Sequence, residues 1–483
     1  MEARSPAPPG ALPGAPPRVP LGAAAAVVAG GAVVLAVTVW LVAEGSLLVW
    51  AVPAAVAVGL GLAIARPSPF AQAALVLTLL TLQFRGEQGT TPLEVASGLA
   101  LVAYIGYWYL DTWLHRRRVV TSLFDVAALT WGTVGLAAGV VLGLLFGANA
   151  YDFRADVLAT IPFLLYLPLK DLCARHRHGP LLLMGALVAY GIVGTIQSAF
   201  FLRQVITGAT AVWEIADARF ASSETGVTAG LLLCFAAFAT ARGSAARVVA
   251  LVLAGGLFGG LVLSKSRGFW VAAMLGLAAL VVACRPAERR RLLVAAVLGV
   301  GTLAAFALLL FPDQVAVIAG GSLDRLSTLA SAGQDVSLLN RFAETRAAWD
   351  RILANPVLGY GWGVQFSYYG MLVDGTVTWS FLHNGYVSLW YKTGLWGLAL
   401  MMFVWVGAVV RGAAAGRSAA LPALERAGAF GAMATLVAFS LAAITSNPFS
   451  ILDQMLVATV ALALAHGAAD RARFRPARSA EAP

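Results

Sequence analysis

The chain has 483 residues, 60% of them hydrophobic and only 12% charged, with 33 Lys and Arg against 23 acids for a net charge of +10. About a quarter of the residues in an ordinary soluble domain are charged, so a water-soluble enzyme of the usual kind is excluded. The basic residues fall in short clusters between long apolar runs, which is the pattern of membrane topology and not of a nucleic-acid surface. Cys173, Cys234 and Cys284 are odd in number, lack metal-ligand spacing and lie in or beside apolar segments, so neither a disulfide framework nor a zinc site is expected.

Residues 1–20 (with PAPPGALPGAPPRVP) are Pro-rich and expected to be disordered on the cytoplasmic side. A membrane helix needs about 20 mostly apolar residues. Such runs follow at 21–43, 47–65, 69–84, 94–112, 120–147, 156–170, 180–202, 224–241, 247–263, 268–284, 292–311, 383–410, 427–446 and 450–467. The run at 156–170 is short, and the first run is too long for a signal-peptide core and reads as an uncleaved anchor. The expected fold is an all-α polytopic membrane protein of about 12–14 transmembrane helices. It divides into an N-terminal bundle over 21–311, a long periplasmic loop over 312–382 carrying amphipathic helices, C-terminal spans over 383–467 and a basic cytoplasmic tail over 468–483.

Orientation follows from charge, because cytoplasmic loops collect Lys and Arg. With both termini inside, the cytoplasmic side holds 22 of the 33 basic residues and 8 of the 23 acids, for +14 against −4 outside. The loop at 312–382 is far longer than an ordinary connection. In it, DVSLLNRFAETRAAWDRILANP places Leu339, Phe342, Trp349 and Leu353 on helical spacing, and Pro356, Gly359 and Gly361 end the helix. Such a helix either faces lipid or caps a domain.

Few basic groups remain outside. Lys265 and Arg267 sit in SKSRG between two apolar runs with no room for a loop, so they either snorkel to headgroups or face a polar cavity. Of the five histidines only His383 is outside, where the long loop re-enters the membrane amid Trp379, Phe381, Tyr386 and Trp390. The planar fork of Arg suits a diphosphate, and a neutral His can take a proton from a hydroxyl. Together at an outer membrane surface they fit attack by a hydroxyl on a carbon whose leaving group is a membrane-embedded pyrophosphate. No clustered carboxylate pair lies near His383, so no metal is expected, and motifs for soluble cofactors are absent. AGGLFGG at 254–260 reads as close helix packing.

NRFAETRAAWDRILANPVLGYGWG followed by LHNGYVSLWYKTGLWG resembles the shared region of the O-antigen ligase and O-antigen polymerase family. SKSRGFWVA resembles that family's upstream S-R-G motif, and ARFASSETGVTAGLLL an earlier segment in which an outer Arg precedes a helix. The resemblance implies metal-independent, inverting glycan transfer from undecaprenyl pyrophosphate at the periplasmic face of the inner membrane, with a lipid or glycan acceptor. It implies that Arg219 and Arg341 bind the donor pyrophosphate, that Arg267 with Lys265 supports that anion site, that His383 orients or deprotonates the acceptor, and that Asn384, Gly359 and Gly361 shape the turn. Lys392 stands where many relatives carry an acid. Asp453 either orients His383 or is simply an acid at a helix N-terminus. Transfer to protein hydroxyls is an alternative within the family. A lipid-linked oligosaccharide flippase or organic-anion carrier is an alternative outside it, disfavoured by an apparent scarcity of intramembrane charge and by the long outer loop.

The orientation makes a checkable prediction. A cysteine placed at position 330 is expected to react with a membrane-impermeant thiol reagent added to intact cells; protection there would reverse the topology.

Overall fold

A computed structural model describes residues 69–81, 92–208, 224–295, 297, 336–371 and 373–474. The runs expected at 21–43 and 47–65, and nearly all of 292–311, lie outside these residues. The described helices are α1 (Pro69–Thr81), α2 (Pro92–Leu114), α3 (Leu123–Leu145), α4 (Ala150–Arg175), α5 (Gly179–Gly208), α6 (Glu224–Thr240), α7 (Ser244–Leu263), α8 (Arg267–Ala283) and α9 (Val336–Ala354). The hairpin β1 (Phe366–Gly370) and β2 (Gly375–Trp379) follows, and then α10 (Gly385–Arg417), α11 (Ala423–Ala442) and α12 (Leu452–Phe474). Among the described residues, seven helical stretches are long and apolar enough to cross a membrane, and three shorter apolar helices accompany them. The protein is an all-α multi-pass membrane protein.

The helices alternate between two ends. At one end, Arg175 donates to the Arg118 carbonyl at 3.2 Å, Arg285 to that of Arg417 at 2.6 Å, and Arg471 to that of His176 at 2.6 Å. Arg426 pairs with Glu288 at 2.6 Å. The clusters that looked topogenic in the sequence are therefore one basic rim. The opposite end carries the 443–451 turn, the start of α10 and the segment 336–382.

α11 and α12 form the centre. Both are rich in Ala and Gly and buried along most of their length, α11 against α6, α8 and α10, and α12 against α4 and α10. Small residues let helix backbones approach closely where no hydrophobic effect separates protein from lipid. The ends of several helices extend beyond the apolar runs because charged residues are neutralised there by partners. α4 is 26 residues long, not the short span expected, because Asp152 and Asp156 find protein partners in its first turns.

Buried charge is also more abundant than the sequence suggests. Lys170 bridges Asp125 and Asp470, each at 2.6 Å, Arg411 pairs with Asp470, and Arg411 Nη1 lies 3.0 Å from His466 Nδ1. The Tyr166 hydroxyl donates to Asp125 at 2.9 Å. Near the other end, Lys392 pairs with Asp156 at 2.6 Å, and both are buried. These groups lie within about two turns of the helix ends, leaving the stretch 393–410 of α10 without a charge.

The segment after α9 threads between spanning helices. The Tyr360 and Gly361 amides donate to the Tyr391 and Lys392 carbonyls at 2.9 Å each, and the Trp362 amide donates to that of Gly139 at 2.9 Å. Gly361 has φ +88°, and a Cβ there would collide with Gly143 N. The Gly363 amide donates to Asp156 Oδ2 at 2.8 Å, so the carboxylate neutralised by Lys392 also holds the turn. α10 kinks at Gly394, whose φ is +70°.

Losing one member of a buried pair strands a charge and typically costs about 3–5 kcal/mol, whereas removing both is far less damaging. Lys392→Met is expected to lower yield and thermal midpoint in detergent strongly, and adding Asp156→Asn to recover more than half of the loss. Additive losses in the double variant would contradict the pairing.

Candidate functional site

α9 is amphipathic, with polar residues on part of its inner face. Its inner face is Asn340, Glu344, Ala348 and Ile352, four residues at spacing i, i+4. Phe342 and Leu353 are 61% and 64% exposed, so the apolar stripe visible in the sequence faces away from the protein. The inner face packs on a small core of Phe366, Tyr368, Leu382 and Tyr391. The hairpin that supplies half of this core was not anticipated. Its signal is present in FSYYG and GTVTW, two aromatic and β-branched runs around a Asp374-Gly375 turn, paired antiparallel with Phe366 opposite Trp379.

Glu344 is fully buried at this core and accepts two hydrogen bonds from His383. One comes from the His383 backbone amide, and Glu344 Oε2 lies 2.8 Å from His383 Nδ1. A carboxylate oxygen can only accept, so with Glu344 on Nδ1 the neutral imidazole has its proton on Nδ1 and its lone pair on Nε2. The imidazole is 30% exposed and sits against Phe381 and Trp379, with ring centroids 5.1 and 6.1 Å away. Burial raises the Tyr368 phenol above its ordinary pKa, and the charge of Glu344 acts in the same direction. It therefore stays a neutral hydroxyl.

Arg341 lies one turn before Glu344 on α9, which places the two on neighbouring helical positions. The other arginines of this helix are used differently. Arg346 is exposed and lies 3.5 Å from Asp350, while Arg351 donates to the Gln365 carbonyl at 3.0 Å and covers the Tyr360 ring.

Asn384 caps α10 by accepting from the Val387 amide at 3.1 Å. The Gly385 amide donates to the Ala443 carbonyl at 2.7 Å, and Asn447 Nδ2 donates to the Leu382 carbonyl at 2.7 Å. On its other side the 443–450 turn approaches the S-R-G motif: a Cβ on Gly268 would lie 3.0 Å from Thr445 Oγ1. Lys265 is buried with φ +50°, and Arg267 opens α8. One turn thus joins the Lys265–Arg267 motif to the His383 loop.

One residue marked in the sequence, Asp453, has partners other than His383. Asp453 accepts from Tyr190 at 2.9 Å and Thr225 at 3.2 Å, tying α12 to α5 and α6, so it does not orient His383; Glu344 holds that position. Gly359 and Gly361 pack against the backbones of α10 and α3, which makes them a buried structural turn. Arg219 lies outside the described residues, in the segment that leads into Thr225 of α6. Glu344 went unmarked in the sequence because it is an ordinary-looking acid in NRFAET. The available clue was its place in the i, i+4, i+8, i+12 series of Asn340, Glu344, Ala348 and Ile352.

No curated protein matches the chain. Residues 249–402 match the family model described as O-antigen ligase, a stretch that contains the S-R-G motif, Arg341, Glu344, the glycine turn, His383 and Lys392, and leaves out Arg219 and Asp453. It is through this region, about a third of the chain, that the membrane protein is similar to the O-antigen ligase family.

Proposed function

We propose that the protein is a membrane glycosyltransferase that moves a glycan from a polyprenyl pyrophosphate, undecaprenyl pyrophosphate in the bacterial case, to an acceptor hydroxyl at the periplasmic face of the inner membrane. The family match supports transfer of the O-antigen ligase or polymerase type in general. The observation that carries the finer reading is the His383–Glu344 pair. A carboxylate on Nδ1 fixes the tautomer in which Nε2 is the base, the arrangement a hydroxyl nucleophile requires.

In this reading the acceptor O–H loses its proton to His383 Nε2 as its oxygen bonds to the anomeric carbon. The bond from that carbon to the pyrophosphate oxygen breaks, and the electron pair leaves with the polyprenyl pyrophosphate. Attack opposite the leaving group inverts the anomeric centre. Arg341, with Arg267, Lys265 and Arg219, neutralises the charge that builds on the diphosphate. Asn384 holds the start of α10 and so the His383 loop. The acceptor is the lipid A core for ligation or a growing glycan for polymerisation. The buried charges of the bundle, which a flippase would need to expose along a path, are closed in short-range pairs instead.

Reconstitution with a polyprenyl-pyrophosphate-linked glycan and lipid, glycan or peptide acceptors tests the proposal, the product identifying which hydroxyl is used. Arg341→Lys keeps the charge and loses the two-donor fork. It is expected to lower transfer by roughly 10²-fold or more, in the range of losing one preorganised electrostatic donor, with normal membrane insertion. Near-wild-type transfer would remove Arg341 from the donor site.

A further inference from the structure

The basic rim holds a cavity of about 540 Å³, lined by Phe238 of α6, Arg247 and Leu251 of α7, and Arg290, Arg291 and Val294 of the helical residues 286–295. It lies at the end of the molecule opposite His383 and takes no part in the proposed transfer. Its lining is graded. Arg247 and Leu251 are four apart on α7, and Arg290 and Val294 are four apart on the next element, so each step of one helical turn inward replaces a guanidinium with an apolar side chain. Arg247 is pinned at the level of the α6–α7 loop, donating to the Ala241 and Arg242 carbonyls at 3.0 and 3.2 Å, and Arg291 donates to the Ala239 carbonyl at 3.5 Å. Beside the cavity, Val248, Val252 and Leu293 are exposed apolar side chains of the kind that face lipid.

A phosphate at the mouth with hydrocarbon beneath it satisfies this gradient. Arg is suited to phosphate by its paired donors, and basic pockets between membrane helices accept anionic headgroups. The volume falls within the range of small-molecule sites. We infer that this cavity binds the headgroup of an anionic phospholipid from the leaflet at the basic end, with its acyl chains running along α7. A soluble phosphate shares the headgroup's chemistry but would leave the apolar inner wall unused.

The test is titration of the purified full-length protein in neutral detergent with phosphatidylglycerol and, separately, phosphatidylcholine, read by native mass spectrometry. The wild type is expected to take up phosphatidylglycerol in preference to phosphatidylcholine. Arg290→Ala with Arg291→Ala should weaken phosphatidylglycerol binding roughly 30-fold and leave phosphatidylcholine unchanged. Val294→Trp fills the cavity while keeping every arginine, and should cause a comparable loss. Wild-type phosphatidylglycerol binding in either variant would overturn the site, the second by showing that attraction is spread over the rim. Displacement of the lipid by millimolar inorganic phosphate would overturn the lipid assignment in favour of a soluble anion.

Discussion

A single buried carboxylate organises the end of this protein that carries His383. Glu344 is enclosed by the small core beneath α9 and satisfies both the backbone amide and the ring of His383. Desolvating a carboxylate is expensive unless its oxygens are hydrogen-bonded. The same bonds that make Glu344 tolerable in that core therefore fix the histidine loop. Everything around the pair keeps it in place: the hairpin supplies Phe366 and Tyr368, the glycine turn carries the chain from α9 down between α3 and α10, and the Lys392–Asp156 pair holds that turn. The imidazole is thus oriented by a rigid shell, as a precise site requires.

The site is assembled from distant parts of the chain by the turn between α11 and α12. This short segment touches the S-R-G motif through Thr445 and the His383 loop through Ala443 and Asn447. The next residues lead to Asp453, which binds the start of α6 through Thr225. In the proposed transfer these loops present polar groups to a lipid-linked substrate, while the middle of the long helices stays free of charge. At the far end Lys170, Asp125, Asp470 and Arg411 close a balanced network, so the charge at both ends is paired where it enters the protein.

Much of the architecture was legible in the sequence because it depends on local pattern. Apolar runs placed the described spans, the charge bias grouped the rim arginines that the structure brings together, and Asn384 sits where a helix cap belongs. What escaped depends on long-range pairing. Asp156 with Lys392 and Lys170 with Asp125 are each far apart in sequence, so buried ion pairs look like isolated charges that shorten a span or mark a loop. The outward-facing apolar residues of α9 fit one of the two readings of that helix: beside a membrane, apolar residues need not point inward, and the inner face was free to carry Glu344. Asp453 attracted notice because it follows a turn between two apolar runs, yet Tyr190 and Thr225 both donate to its Oδ2.

In the proposed transfer, Glu344 and His383 act as one unit in removing the acceptor's proton. The direct measurement is single-turnover transfer alongside equilibrium donor binding for His383→Ala, Glu344→Gln and the double variant. A glutamine can offer its amide N–H to Nδ1 and reverse the tautomer, so each single variant should lose roughly 10²–10⁴-fold in transfer with donor binding unchanged. The double variant should lose little more than either alone. Transfer close to wild type in Glu344→Gln, or losses that multiply in the double variant, would contradict the account.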